Sequence, residues 1–222
     1  MRRTVAWVLD YLFVLWWQVR NVLARRVPDR YAEGQRAPIV LLPGVYETWQ
    51  FLKPVADRLN RDGHPVHVIR QLGYNRSSVP DAAAIVARLL AGEGLRGVIL
   101  LAHSKGGLVG KHLMTIDDLH GRIDRLVAIN TPFGGSAYAR FIPFRTIRAF
   151  APTEPTLALL AGKLEPNARI TSIYSEFDPH IPGGSELAGA KNIRLPVLGH
   201  FRPLATRLLA DTVAREVAQN AS

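Results

Sequence analysis

The chain has no cysteine. That excludes disulfides and thiolate metal sites, and it leaves the redox compartment open. Acidic residues are also few, with 18 Asp+Glu against 28 Lys+Arg, a net charge of +10. A basic surface favours anionic partners, which means nucleic acid or an anionic membrane. The arginines are spread along the chain, and neither zinc-ligand spacing nor an aromatic-basic RNA motif is present, so no nucleic acid is expected. No metal or other cofactor is expected either. The sequence carries no internal repeat and no low-complexity tract. It also lacks a long uninterrupted apolar run, because the one from Thr4 to Val19 contains Asp10. As a helix that run would rise about 24 Å, short of a hydrocarbon core of about 30 Å.

What is present is globular composition, 48% hydrophobic and 21% charged over 222 residues. This length suits one well-buried α/β domain and is too short for two. Residues 1–27 read as an N-terminal apolar helix. Arg2, Arg3, Arg20, Arg25 and Arg26 flank it, and Arg3, Asp10 and Asn21 fall on a narrow polar stripe. Three of the four tryptophans, Trp7, Trp16 and Trp17, lie here, and tryptophan favours membrane interfaces. An interfacial amphipathic anchor gripping anionic lipid is therefore expected, on the cytoplasmic side. A short bilayer-spanning signal-anchor, a cleaved signal peptide of a secreted form, and a helix packed on the domain are the alternatives. Residues 28–37 read as a polar linker.

From residue 38 onward, strands and helices alternate. Pro38–Leu42, Pro65–Ile69, Gly97–Leu101, Ile123–Ile129, Ala168–Ser175 and Asn192–Val197 are short apolar runs of strand character. Helices are expected at about 49–60, from Asp81, from the glycines Gly106-Gly107 through Met114, and at about 203–217. The alternation predicts a doubly wound, mostly parallel sheet in a single domain, 38–222. One connection, 132–168, is long and carries Phe141, Phe144, Ile147 and Phe150 among arginines. A connection of that length is commonly functional, and a lid is expected there.

Strand Gly97–Leu101 leads into Ala102-His103-Ser104-Lys105-Gly106-Gly107 and then a helix, the setting of a nucleophile elbow. A serine hydroxyl needs a histidine to take its proton and a carboxylate to orient that histidine. In a doubly wound sheet both partners come from loops at the carboxyl ends of other strands. The loop after Tyr174-Ser175 supplies Glu176-Phe177-Asp178-Pro179-His180, and the loop after the last strand supplies Gly199-His200. Ser104, Asp178 and His200 are thus the candidate catalytic residues. Glu176 is the rival acid and His180 the rival base.

These motifs resemble those of the α/β-hydrolase superfamily, in particular small bacterial serine lipases and esterases that lack the first strands of the fold. The matching pieces are Ala102–Gly107, Thr131-Pro132-Phe133-Gly134-Gly135-Ser136, Ser175–Pro182 and Gly199-His200. The resemblance implies an oxyanion hole of two backbone N–H groups, those of Lys105 and of Val45 in Pro43-Gly44-Val45. Proline stands where the relatives carry histidine, and Lys105 where methionine or glutamine is common. The Lys105 charge is expected either to favour anionic substrates or to point at solvent. The implied activity is hydrolysis of lipidic or apolar carboxylic esters through an acyl-enzyme, near a membrane. Acyl transfer to another acceptor, amide or thioester hydrolysis, and a non-catalytic membrane-tethered module are the alternatives.

Overall fold

The apolar runs do form strands, and their burial explains why alternation is missing from them. A computed structural model describes residues 2–23, 26–118, 120–141, 145–148 and 150–219. It begins with helix α1 (Arg2–Leu23), followed by β1 (Ile39–Leu42), α2 (Lys53–Arg61), β2 (Val66–Val68), α3 (Val79–Gly92) and β3 (Val98–His103). Next come α4 (Lys105–His112), β4 (Ile123–Ile129), α5 (Arg145–Arg148), α6 (Pro155–Ala161), β5 (Ile170–Phe177), β6 (Lys191–Leu198) and α7 (Arg207–Ala218). The six strands make one sheet in the order β2-β1-β3-β4-β5-β6, and every pairing is parallel.

Because both faces of the sheet are covered, successive strand residues enter different cores. Ile39 and Leu41 pack with Val55 and Leu59 of α2, Leu209 and Val213 of α7, and Trp17 of α1. Val40 and Leu42 pack on the other side with Val86 of α3, Val109 of α4 and Leu157 of α6. Side-chain caps fix where helices begin. The Ser78 hydroxyl accepts from the Asp81 N–H ahead of α3, and the Thr206 hydroxyl accepts from the Leu209 N–H ahead of α7. Strand order reverses between β1 and β3, so the loops leaving their carboxyl ends diverge and open a crevice there.

Within 28–37, Asp29–Ala32 form a 3-10 turn whose buried Tyr31 donates from its hydroxyl to Asp57 (2.8 Å). One expectation about the N-terminal helix changes. Among the described residues no helix is long and apolar enough to cross a membrane, which removes the bilayer-spanning signal-anchor. The physical reason lies on the inner side of α1. Asp10 and Trp17 are buried against the domain, the Trp17 indole donates to the Gln50 carbonyl (3.2 Å), and the Gln18 amide donates to the Tyr46 carbonyl (3.0 Å). The side chains of Arg3 and Asn21, expected to share Asp10's stripe, lie outside the described residues.

The 132–168 connection is partly structured. Ala137–Phe141 is a 3-10 turn, and α6 buries Leu157 and Leu160. Phe150 is packed into the core beside Leu157, and Ile147 is packed against that cluster. The Phe141 side chain and Phe144 lie outside the described residues.

Candidate active site

The elbow is a constrained turn. Ser104 adopts φ 50° and ψ −119°, a left-handed conformation that non-glycine residues rarely hold. Hydrogen bonds on both sides hold it: the Ser104 N–H donates to the Ile129 carbonyl (2.9 Å), and the Thr131 hydroxyl donates to the Ser104 carbonyl (3.0 Å). Ala102, where such elbows usually carry glycine, is fully buried between Leu42 of β1 and Ala128 of β4. The small side chain suffices.

Asp178 and His200 are paired. His200 Nδ1 lies 2.6 Å from Asp178 Oδ2, with both side chains buried. The other Asp178 oxygen accepts from the backbone N–H groups of His180 (2.8 Å) and Ile181 (3.2 Å). Burial works against ionising Asp178, but the His200 charge and these bonds prevail and hold its pKa below the ordinary value. Burial likewise works against protonating His200. The carboxylates of Asp178, Glu47 and Asp10 outweigh it and raise the imidazole above its ordinary value.

The rival acid lies away from the cavity, and the rival base lies beside His200. Glu176 is exposed and pairs with Arg194 (3.3 Å). The His180 ring lies tilted 5.0 Å from that of His200, and burial together with the His200 charge lowers its pKa to about 3.

Ser104, His200 and Val45 line one cavity of about 510 Å³, within the range of small-molecule sites. Its walls are mainly apolar, with Ile147, Phe150, Ile181 and Phe201 among them. Trp7, Tyr11, Val14 and Gln18 of α1 line it as well. The N-terminal helix is therefore part of the cavity wall, which its apolar sequence did not suggest.

The loop before Val45 is fixed without the histidine that Pro43 replaces. Glu47 Oε2 accepts from the Gly44 N–H (2.9 Å), and the Asn75 amide donates to the Pro43 carbonyl (2.7 Å). Glu47 also reaches His103, with Oε1 2.7 Å from Nδ1, while His103 Nε2 lies 3.1 Å from the His200 carbonyl. Both ring nitrogens of His103 thus face acceptors. Asn130, at φ 45°, adds a donor to the same His200 carbonyl (2.9 Å) and accepts from the Ser175 N–H (2.9 Å). Glu47, His103 and Asn130 are polar residues that sequence reasoning missed as parts of the site. Asn130 had a legible signal, since it stands at the carboxyl end of a strand.

Lys105 takes neither of its two expected orientations. Its side chain is buried, and the ammonium donates to the Asn75 carbonyl (2.8 Å), the Asn75 side-chain oxygen (3.2 Å) and the Ser77 carbonyl. Burial lowers its pKa to about 8. The lysine ties the elbow helix to the loop after β2 instead of facing substrate. Lys105→Met is accordingly expected to cost about 2 kcal/mol through the carbonyls left unpaired, a Tm drop of about 4–8 °C. The relative rates on short and long esters should stay unchanged. A thermal melt and an ester series check both, and a shifted ester preference would return the lysine to the substrate site.

The sequence profile described as Alpha/beta hydrolase family matches residues 39–218. A triacylglycerol lipase of Pseudarthrobacter phenanthrenivorans is 28% identical over 125 residues, 51% of this chain and 38% of the lipase. One of Burkholderia plantarii is 28% identical over 51% of this chain and 34% of its own. The matches thus span little more than a third of these curated relatives. Among solved structures, Bacillus licheniformis lipase BlEst2 in mature form superposes with TM-score 0.61 at 13% identity, covering 83% of this chain and 96% of that one. An extracellular alpha/beta-hydrolase from a Paenibacillus species gives 0.59 at 19% identity, covering 81% and 98%. At these identities the structures establish the fold. The profile match, over most of the chain and all six strands, establishes that the chain belongs to the alpha/beta hydrolase family.

Proposed function

We propose that the chain is a serine carboxylic-ester hydrolase acting on lipidic or apolar esters. The observation that carries the reading is the meeting, in one largely apolar cavity, of a serine on a strained elbow and a histidine paired to a buried carboxylate. Asp178 accepts the Nδ1 hydrogen of His200, which leaves Nε2 free to take a proton. His200 takes the Ser104 proton as Oγ attacks the acyl carbonyl. The backbone N–H groups of Val45 and Lys105 receive the oxyanion. Collapse expels the alcohol, protonated by His200, and leaves an acyl-Ser104 ester. Water then repeats the sequence, with His200 again as base, and releases the acid.

Two features support an apolar substrate at an anionic membrane surface. The cavity offers an acyl chain mostly aliphatic and aromatic contacts. The outer side of α1 exposes Val8, Leu12, Leu15, Trp16 and Val19 in a single helical stripe, flanked in sequence by arginines. Tryptophan and basic residues together suit the headgroup region.

Fluorophosphonate labelling and an acetyl-to-palmitoyl p-nitrophenyl ester series, with and without phosphatidylglycerol vesicles, test the proposal. Stoichiometric labelling, rates that rise with chain length, and a further rise on vesicles are expected. Folded protein that takes no label would sink the hydrolase reading. A short-chain-only profile overturns the lipidic substrate, and indifference to vesicles overturns the membrane surface.

A further inference from the structure

Asp10 is the one carboxylate in the apolar run Thr4–Val19, and it is buried. Its Oδ2 accepts from the N–H of His200 (2.9 Å), and its Oδ1 accepts from the N–H groups of Phe201 (3.0 Å) and Arg202 (2.9 Å). These three consecutive donors lead into the 3-10 turn Arg202–Ala205, where N–H groups have no partner within the turn itself. The contact joins residues 190 positions apart. Gly199 makes room for it: a side chain there would meet Asp10 Oδ1 at 2.6 Å, and its φ of 115° suits glycine alone. Beside Asp10, Trp7 stacks on His180 with centroids 5.5 Å apart, and Tyr11 approaches the same ring at 5.5 Å.

We infer that Asp10 is a positioning residue of the hydrolase site, delivered by the N-terminal helix, which orients His200 through its backbone and balances the charge that His200 gains during acyl transfer. The inference rests on the Ser104–His200–Asp178 reading. Every backbone polar atom of His200 is held: Asp10 takes its N–H, while Asn130 and His103 hold its carbonyl. Asp10 is the only member of that set outside the matched family region 39–218. A buried carboxylate that accepts three N–H bonds holds its negative charge close to the imidazolium and pays little reorganisation when that cation forms.

The groups facing His200 are Asp178, Glu47, Asp10, His180 and His103. Asp10 is among the carboxylates that raise the His200 pKa. His200 must be neutral to act as base, so activity is lost as pH falls through a value above the ordinary imidazole range of about 6.5. Removing the Asp10 charge should therefore move that acid limb to lower pH.

The test uses the full-length protein with Asp10→Asn and Asp10→Ala, assayed on p-nitrophenyl butyrate, with active sites counted by fluorophosphonate labelling. Per labelled site, Asp10→Ala is expected to lose about 10–100-fold in kcat with KM within a factor of about three. Asp10→Asn keeps an acceptor for Phe201 and Arg202 and should lose less. Both variants should shift the acid limb of kcat/KM downward. A purely structural role would instead lower the number of labelled sites while leaving kcat per site and the limb in place, and that result overturns the inference. If Asp10→Ala does not fold, the Asp10→Asn limb decides, and an unmoved limb overturns the inference. Wild type that neither labels nor hydrolyses rejects the underlying hydrolase reading instead.

Discussion

Replacing Ser104 with alanine is expected to lower ester turnover by about 10⁴–10⁶-fold and to abolish fluorophosphonate labelling, with Tm within about 3 °C of wild type. Catalysis should fall that far because the proposed route forms its acyl ester on the Ser104 oxygen, which alanine lacks. The fold should survive because the constraints on the elbow are carried by main-chain atoms. The Ile129 carbonyl accepts the N–H of residue 104, and Thr131 donates to its carbonyl, whichever side chain is present. Alanine bears the same Cβ as serine, so the cost of φ 50° is already present in the wild type. The Val45 and Lys105 N–H groups also remain, so weak residual hydrolysis through oxyanion stabilisation is expected to persist. Turnover above a tenth of wild type would mean that ester cleavage occurs at another group.

The sheet was legible because it is parallel and covered on both faces. Ile39–Leu42 and Val98–Leu101 had to be continuous apolar runs, and continuous runs are easy to read. The positions of the candidate residues at one end of the sheet were legible for a related reason. Ser104, Asp178 and His200 each leave the carboxyl end of a strand, and a doubly wound sheet gathers those ends on one side. What escaped were polar contacts between distant segments. Glu47 and His103 are 56 positions apart, and neither belongs to a periodic pattern. Lys105 was misread because its neighbour in space is the loop around Asn75, which the sequence does not connect to the elbow. Asp10 did leave a signal. A single carboxylate in an otherwise uncharged helical run is costly to bury without partners, so its presence called for donors somewhere in the fold. Which donors those were depended on where α1 lies, and amphipathicity alone does not fix that.

Gly106→Ala should be the most destabilising small substitution in the elbow. A Cβ at this position would lie 2.0 Å from the Leu42 carbonyl oxygen and 3.0 Å from that of Pro43. Both are backbone atoms, so no rotamer change relieves the clash, and either α4 or the end of β1 must move. Native stabilities are only about 5–15 kcal/mol, and an overpacking event against rigid backbone costs about 3 kcal/mol. For a chain of this size that corresponds to a Tm loss of about 6–12 °C. The same displacement reaches function, because Leu42 and Pro43 lead directly into the Gly44-Val45 loop. Molecules that remain folded should therefore lose kcat as well, since the Val45 N–H no longer meets the oxyanion at the right distance. Gly92→Ala in α3 is the matched control. A Cβ there meets nothing within 4 Å, so the change should be neutral or slightly stabilising. Circular dichroism melts of the two variants, with kcat measured below the lower Tm, read both effects. If Gly106→Ala melted within 2 °C of wild type, the close approach of α4 to β1 would not be what sets the elbow.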